Sequence, residues 1–168
     1  MTIPAIRPGT TRDFIALVLF LAVCLGASAL GAFVTAGSVG TWYQSLQKPS
    51  FNPPDGVFAP VWTALYIMMA VAAWRVWRRH GFQAAGRAMV LFALQLALNL
   101  AWSLIFFGLR LIGPALAEIG LLFIAIVATT IAFWRHDRLA GLLLLPYAAW
   151  VAFASLLNAA LWNLNSAV

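Results

Sequence analysis

The chain has 168 residues, of which 64% are hydrophobic and only 8% are charged, and its formal net charge is +6. Soluble domains carry roughly 25% charged residues, so this composition excludes an ordinary soluble protein and indicates an integral membrane protein. A basic excess can also indicate nucleic-acid binding, but in a membrane protein it more often reports helix orientation, and we expect no nucleic-acid partner. Cys24 is the only cysteine, which excludes an intrachain disulfide and any zinc-ligand spacing.

Five apolar runs are each long enough to cross a membrane as a helix, which takes about 20 residues. They cover residues of about 14–36, 58–79, 86–107, 112–134 and 139–163. Each run is too long for a transmembrane β-strand, and none alternates between polar and apolar residues as a barrel strand does. The sequence therefore predicts an all-α integral membrane protein, a bundle of five transmembrane helices forming one domain over residues 1–168. A structured loop is predicted between helices one and two.

The first run has an alternative interpretation as a secretory signal peptide. Arg7 and Arg12 precede it, and Ala27-Ser28-Ala29 resembles a cleavage site. Apolar character continues to about Ala36, beyond the roughly 7–15 residues of a signal-peptide core. We therefore expect helix one to be retained.

Basic residues predict how the helices are oriented. Eight of the ten fall in the N-terminal segment and in the second and fourth connections: Arg7, Arg12, Arg75, Arg78, Arg79, Arg87, Arg135 and Arg138. The opposite side carries only Lys48 and Arg110. By the positive-inside rule the N-terminus and the arginine-rich loops are cytoplasmic, and we expect a multi-pass protein of the bacterial cell membrane.

The loop of residues 37–57, which we call the lid loop, is richer in aromatics and prolines than a simple connection needs. Residues 41–62 contain four aromatics before Trp62 and four prolines. Proline fixes φ and lowers the entropy cost of ordering the chain. The composition predicts a stiff lid over a site for a flat, apolar ligand.

Helix three carries Gln95, Asn99 and Ser103 at intervals of four residues, on one helix face. Amides are costly in lipid unless they are paired, so this face is expected to turn inward. Such amides can simply hold helices together. Alternatively, at a rise of about 1.5 Å per residue, several side chains reach similar depths in the outer half of the bundle, beneath the lid loop. They are Trp62, Gln95, Asn99, Trp102, Trp150 and Ala154.

Small residues mark candidate contacts between two copies of the chain. Ala93, Ala97 and Ala101 form a small-xxx-small stripe on the other face of helix three, and such stripes permit close helix approach in membranes. Ala22-x-x-x-Gly26 and Ala27-x-x-x-Gly31 in helix one are the rival stripes. We expect a homodimer that uses one of them.

The sequence shows no catalytic or metal-binding constellation. The histidines, His80 and His136, lie at helix ends beside arginines, and the four carboxylates are dispersed in sequence and depth: Asp13, Asp55, Glu118 and Asp137. Glu118 lies about one turn into helix four, and we expect its flexible side chain to extend toward Arg110. No catalytic residue, metal site or required cofactor is predicted.

An ordered set of motifs resembles the TspO/MBR family of translocator and tryptophan-rich sensory proteins over residues 14–163. The motifs are Trp42-Tyr43, Lys48-Pro49, Asn52-Pro53-Pro54, Pro60-Val61-Trp62, Gln95-x-x-x-Asn99-x-x-Trp102, Phe106-Phe107-Gly108 and Pro146-Tyr147-x-x-Trp150. Each is weak alone, but the ordered set is specific. The resemblance implies a five-helix membrane protein, commonly a homodimer, that binds porphyrins such as protoporphyrin IX or haem and synthetic benzodiazepine-type ligands.

The resemblance also implies which residues bind the ligand. They are Trp42, Tyr43, Trp62, Gln95, Asn99, Trp102, Trp150 and Ala154. Phe51 and Gly56 stand where relatives often have tryptophan. Ala159 and Asn163 replace the tyrosine and arginine of a cholesterol motif proposed in mammalian members, so sterol binding through that motif is not expected.

Three functions remain open from the sequence. The first is a receptor or sensor for tetrapyrroles, and the second is a transporter of porphyrins or other small apolar molecules. The third, ranked below both, is an enzyme that promotes light- and oxygen-dependent porphyrin degradation.

Overall fold

The computed structural model describes residues 10–166, with side chains from residue 11 onward. Five α-helices follow one another: α1 (Thr10–Val39), α2 (Trp42–Ser45), α3 (Phe58–Ser103), α4 (Ile112–His136) and α5 (Arg138–Asn165). A 3-10 turn (Asp55–Val57) precedes α3, and a π-helical turn (Leu104–Gly108) follows it. None of the described residues lies in a β-strand, which confirms the predicted all-α class.

Four segments of the described chain are long and apolar enough to cross a membrane, which confirms a multi-pass membrane fold. One of them, Asp55–Gly108, has 54 residues, more than twice the length that one crossing needs. It reverses direction at Gly81, where φ is 64° and ψ is 178°. The two arms of α3, residues 58–80 and 82–103, therefore account for the second and third predicted crossings.

Contacts between the two arms show that they run antiparallel. The Tyr66 hydroxyl donates to Asn99 Oδ1 at 2.5 Å, and Gln95 Nε2 lies 3.8 Å from Met69 Sδ. Because Tyr66 precedes Met69 while Asn99 follows Gln95, the arms form a hairpin. The sequence predicts that helix two ends at residue 79 and that helix three begins at about residue 86. In the structure, the second helix begins directly after Gly81.

Salt bridges close one end of the bundle, which we call the arginine end. Arg78 Nε lies 2.8 Å from Asp13 Oδ2 of α1. Arg75 and Arg79 both pair with Asp137, at 3.0 and 3.3 Å from its Oδ2. These pairs join α1, the first arm of α3 and the α4–α5 corner. The start of α1, the end of the first arm and the α4–α5 corner, which are predicted to share one side of the membrane, thus meet at one end of the fold. Arg7 lies outside the described residues.

The lid loop is tied down at the opposite end. Tyr43 is 4% exposed, and its hydroxyl donates to Asn52 Oδ1 at 2.8 Å. The side chain of Asn165 at the end of α5 accepts from Gln47 N and donates to Gln47 O, both at 3.0 Å. Ser38 Oγ of α1 donates to the carbonyl of Phe107 in the π-helical turn at 2.7 Å. The loop is therefore bonded to the ends of the helices it covers.

Candidate ligand-binding cavity

A cavity of about 380 Å³ lies beneath the lid loop, among α1, both arms of α3 and α5. Small-molecule sites typically measure about 300–1,000 Å³. Its wall contains eight aromatic side chains. The aromatic residues are Tyr43, Phe58, Trp62, Tyr66, Trp102, Phe106, Phe107 and Trp150. They come from the lid loop, both arms of α3, the π-helical turn and α5, so distant parts of the sequence form one apolar enclosure.

Six of the eight sequence-predicted ligand residues line this cavity: Tyr43, Trp62, Asn99, Trp102, Trp150 and Ala154. Trp62 and Trp102 lie on the two arms of α3, and Trp150 and Ala154 lie one turn apart on α5. The structure thus brings these side chains together. Their contact with a ligand remains a prediction.

The other two predicted ligand residues do not line the cavity. Trp42 packs edge-on against Phe106, with ring centres 5.7 Å apart, and so supports the wall from behind. Gln95 is 1% exposed and faces Met69 between the two arms. It precedes Asn99 by one helical turn, which places it roughly 6 Å deeper in the bundle.

The amides near the cavity are largely bonded to the protein itself. Asn99 Oδ1 accepts from Tyr66, and its Nδ2 donates to the Tyr147 hydroxyl at 3.0 Å. Trp102 Nε1 donates to Asn158 Oδ1 at 3.1 Å, and Asn158 Nδ2 donates to the carbonyl of Ile112 at 2.9 Å. Since these groups are paired, the surface left for a ligand is mainly aromatic and aliphatic.

One wall that sequence reasoning missed is contributed by α1 and the start of α3. Its residues are small or weakly polar: Ser28, Gly31, Ala32, Thr35, Ala36, Ala59 and Thr63. The exposed members of this wall, Ala32, Ala36, Ala59 and Thr63, carry the cavity to the protein surface between α1 and α3. The small-residue pattern of α1 is a sequence signal for this wall, but the same pattern also predicts a contact between two copies of the chain.

Gly31 shows why that interpretation of α1 needs correction. A Cβ atom at Gly31 would lie 3.5 Å from Ser103 Oγ, so this glycine packs on the second arm of α3 inside one chain. Ala27 also packs against the core. The Ala27-x-x-x-Gly31 stripe therefore serves contacts within the bundle.

Two opposite charges lie at the outer end of the cavity and are joined by Gln44. Asp55 lines the cavity and accepts from Gln44 Nε2 at 2.6 Å. Lys48 Nζ donates to Gln44 Oε1 at 3.1 Å and lies 4.9 Å from the Tyr43 ring centre. Burial, followed by the nearby negative charge of Asp55, raises the pKa of Tyr43 to about 12. Tyr43 is therefore a neutral hydrogen-bond donor at physiological pH.

The two histidines, and the two positions where the family resemblance leads us to expect tryptophan, lie outside the cavity. Neither Phe51 nor Gly56 lines it; Phe51 packs edge-on against Phe153, with ring centres 6.3 Å apart. His80 and His136 contact each other at the arginine end, with ring centres 5.0 Å apart. Within the described part of the chain, no cluster of three or more His, Cys, Asp or Glu residues is placed to bind a metal ion.

Fold and cavity together define a class: a multi-pass helical membrane protein with an aromatic cavity beneath a tryptophan- and proline-containing loop. The sequence profile of the TspO/MBR family matches residues 19–163, and the chain belongs to that family.

Relatives from distant organisms share most of the chain. It is 42% identical to the tryptophan-rich protein TspO of Chlorobaculum tepidum over 158 residues, covering 92% of this chain and 98% of that protein. It is 37% identical to the tryptophan-rich sensory protein of Cereibacter sphaeroides, covering 91% and 93% of the two chains. It is 43% identical to the human translocator protein, covering 83% and 86%.

Proposed function

We propose that this protein is a membrane receptor or sensor that binds tetrapyrroles, such as protoporphyrin IX or haem, in the cavity beneath the lid loop. The observation that carries the proposal is the cavity wall of eight aromatic side chains. Aromatic faces and edges pack favourably on planar rings and bury large apolar areas. The tetrapyrrole is a ligand here, and no cofactor is required.

The state of the polar groups supports an apolar mode of binding. Asn99 is already bonded to Tyr66 and Tyr147, and Trp102 to Asn158. Stacking on Trp62, Trp102 and Trp150 therefore supplies most of the affinity. The carboxylates of a porphyrin would remain at the outer end of the cavity, where Lys48 is the nearby cation.

A matched pair of substitutions in α5 tests the site. Ala154 lines the cavity, whereas Ala149 is exposed on the same helix. Overpacking costs about 1–3 kcal/mol, and about 1.4 kcal/mol is a tenfold change in affinity. Ala154→Leu should weaken protoporphyrin IX binding about tenfold or more, measured by quenching of tryptophan fluorescence, while Ala149→Leu should leave it unchanged. Equal affinities in the two variants would remove the cavity as the binding site.

A second candidate function is transport of porphyrins or other small apolar molecules. It is favoured by the extension of the cavity to the surface between α1 and α3. The sequence shows no inverted repeat of the kind that many alternating-access transporters contain. Flux of protoporphyrin IX into proteoliposomes, with dissipated ion gradients as the control, separates the functions. Saturable flux that Ala154→Leu abolishes would establish transport, and binding without flux would leave the receptor.

A further inference from the structure

The cavity beneath the lid loop has an opening on the side of the bundle, between α1 and the first arm of α3. Four small, exposed residues line the cavity on this side: Ala32 and Ala36 of α1, and Ala59 and Thr63 of the first arm. Both helices belong to segments that are long and apolar enough to cross a membrane. The small side chains leave a gap that the bundle does not fill.

The contacts of α1 explain why a gap forms here. At the arginine end α1 is held to the first arm, because Trp74 Nε1 donates to the carbonyl of Asp13 at 2.9 Å and Arg78 pairs with the Asp13 carboxylate. Toward the lid loop α1 is held to the π-helical turn instead, where Ser38 donates to the carbonyl of Phe107. The helix therefore crosses from the first arm to the end of the second arm and leaves the outer part of the first arm exposed.

The depth of the opening can be estimated from the length of α1. The helix has 30 residues, about 45 Å at the usual rise per residue, whereas the hydrocarbon core of a bilayer is about 30 Å thick. With an equal overhang at both faces, the core begins about 7–8 Å from each helix end. Ala32 lies about 10 Å and Ala36 about 5 Å from the end of α1 at Val39. The opening therefore spans the boundary between the lipid headgroups and the hydrocarbon.

The hydroxyl groups at the opening are already bonded to their own helices. Thr63 Oγ1 donates to the carbonyl of Ala59, and Thr35 Oγ1 donates to the carbonyl of Gly31, both at 2.8 Å. A polar group that passed between the helices would lose its hydration without gaining these donors. The neighbouring Phe33 is 82% exposed. The opening is therefore suited to hydrocarbon.

The side of the cavity that faces water is held closed by the lid loop. Tyr43 is bonded to Asn52 within the loop, and Asn165 of α5 makes two hydrogen bonds to the backbone of Gln47. Entry from water requires these bonds to break. The small residues between α1 and the first arm impose no such requirement on a molecule that comes from the bilayer.

We propose that this opening is a lateral portal and that, in the membrane, one acyl chain of a phospholipid enters through it and occupies the cavity. Apolar cavities stay dry and take up apolar guests, and acyl chains are the apolar molecules that surround this opening. The headgroup stays at the membrane surface while the chain reaches the aromatic wall. An apolar ligand then enters from the bilayer and displaces the chain.

Photo-cross-linking in vesicles tests the acyl-chain site. The full chain is reconstituted in phosphatidylcholine, of which a small share carries a diazirine near the end of one acyl chain; light releases N₂, and the carbene inserts into a neighbouring C–H bond. Ala154 and Leu157 line the cavity and are 9% and 6% exposed, whereas Leu156 on the same helix is 66% exposed. Peptide mapping should find adducts on all three residues. Adducts on Leu156 without any on Ala154 or Leu157 would overturn the proposal.

Matched substitutions on both sides of the opening test the portal. Ala32→Phe and Thr63→Phe each place a ring in the opening and should lower the adducts on Ala154, relative to those on Leu156, about tenfold. Ala29→Phe and Ala64→Phe are the controls, because these alanines are exposed on the same helices and do not line the cavity. The controls should keep the ratio of the unsubstituted chain. Equal ratios in all four variants would overturn the portal.

Two other outcomes separate this proposal from its rivals. A second copy of the chain seated over the opening would exclude lipid, so that adducts would be missing from Ala59 as well as from Ala154, and the proposal would be overturned. Adducts on Ala154 in a protein that does not bind protoporphyrin IX would support the acyl-chain site and contradict the tetrapyrrole receptor. The acyl-chain site therefore stands or fails independently of the proposed function.

Discussion

Single residues decide which parts of a ligand the cavity can accept. Tyr43 is buried and neutral, and Asn99 and Trp102 are bonded within the protein. The charges that a ligand meets are therefore those of Asp55 and Lys48 at the outer end, which Gln44 holds together. Removing one charge should leave the other to act on an acidic ligand.

Charge removal at the outer end should change affinity in opposite directions. Asp55→Asn should tighten binding of the dicarboxylic protoporphyrin IX, and Lys48→Gln should weaken it. Each change should be at most about fivefold, because solvent-exposed charge pairs contribute about 0.2–1 kcal/mol. Fluorescence titration at low and high salt measures both. The uncharged dimethyl ester of the porphyrin is the control, and equal shifts for the ester would contradict an electrostatic cause.

At the scale of elements, the bend at Gly81 determines how α3 contributes to the bundle. Its φ of 64° with ψ near 180° is a backbone conformation that only glycine adopts readily. A Cβ atom there would meet nothing within 4 Å, so the restriction is in the backbone and not in packing. This one residue brings Tyr66 beside Asn99 and thereby forms two walls of the cavity.

Substitution at Gly81 should therefore destabilise the fold through backbone strain. Gly81→Ala should lower the free energy of unfolding by about 1–3 kcal/mol, seen as a lower midpoint of thermal unfolding by circular dichroism in detergent. Gly86→Ala is the control, because Gly86 lies within the second arm and also has open space around it. It should be neutral or stabilising by roughly 0.5–1 kcal/mol. Equal midpoints for the two variants would show that the bend tolerates a side chain.

At the scale of the whole molecule, the bundle leaves two stripes of small residues exposed. Ala93 and Ala97 are exposed on the second arm of α3, and Ala22 and Gly26 are exposed on α1. Both stripes are available to a second copy of the chain, whereas Gly31 is not. Close approach of helices in lipid depends on such small residues.

Replacing a small residue of one stripe with a large one should identify which stripe forms the dimer contact. Ala97→Phe should reduce the dimer fraction several-fold, because the ring prevents close helix approach. The fraction is measured by cross-linking in liposomes. Ala117→Phe, on the exposed side of α4, controls for a bulky change facing lipid. Cross-linking that survives Ala97→Phe would move the contact to Ala22 and Gly26 of α1.

The sequence alone determines the membrane helices, the family and the approximate depth of several cavity residues. Length and hydropathy of the apolar runs predict the membrane helices, and the ordered motifs identify the family. A constant rise per residue places Asn99, Trp102 and Ala154 at the depth of the cavity. Depth does not report rotation about a helix axis, so it also selects Gln95, which does not line the cavity. Trp42 was expected at the cavity from the family resemblance alone, and it does not line the cavity either.

Tertiary structure decided which side of each helix meets which neighbour. In a water-soluble protein, an apolar stripe along a helix identifies the face that is buried. Lipid is as apolar as a leucine side chain, so in a membrane such a stripe does not separate the buried face from the lipid-facing one. Association between membrane helices depends instead on packing and on polar pairing. The sequence pattern of α1 is therefore equally compatible with a contact between two chains and with a contact to Ser103 inside one chain. In the same way, the sequence allows an ion pair between Glu118 and Arg110. Only the packed bundle shows that Gly31 lies inside the bundle and that the α1 wall of the cavity is open to the surface. It also shows that Glu118 is buried without a countercharge.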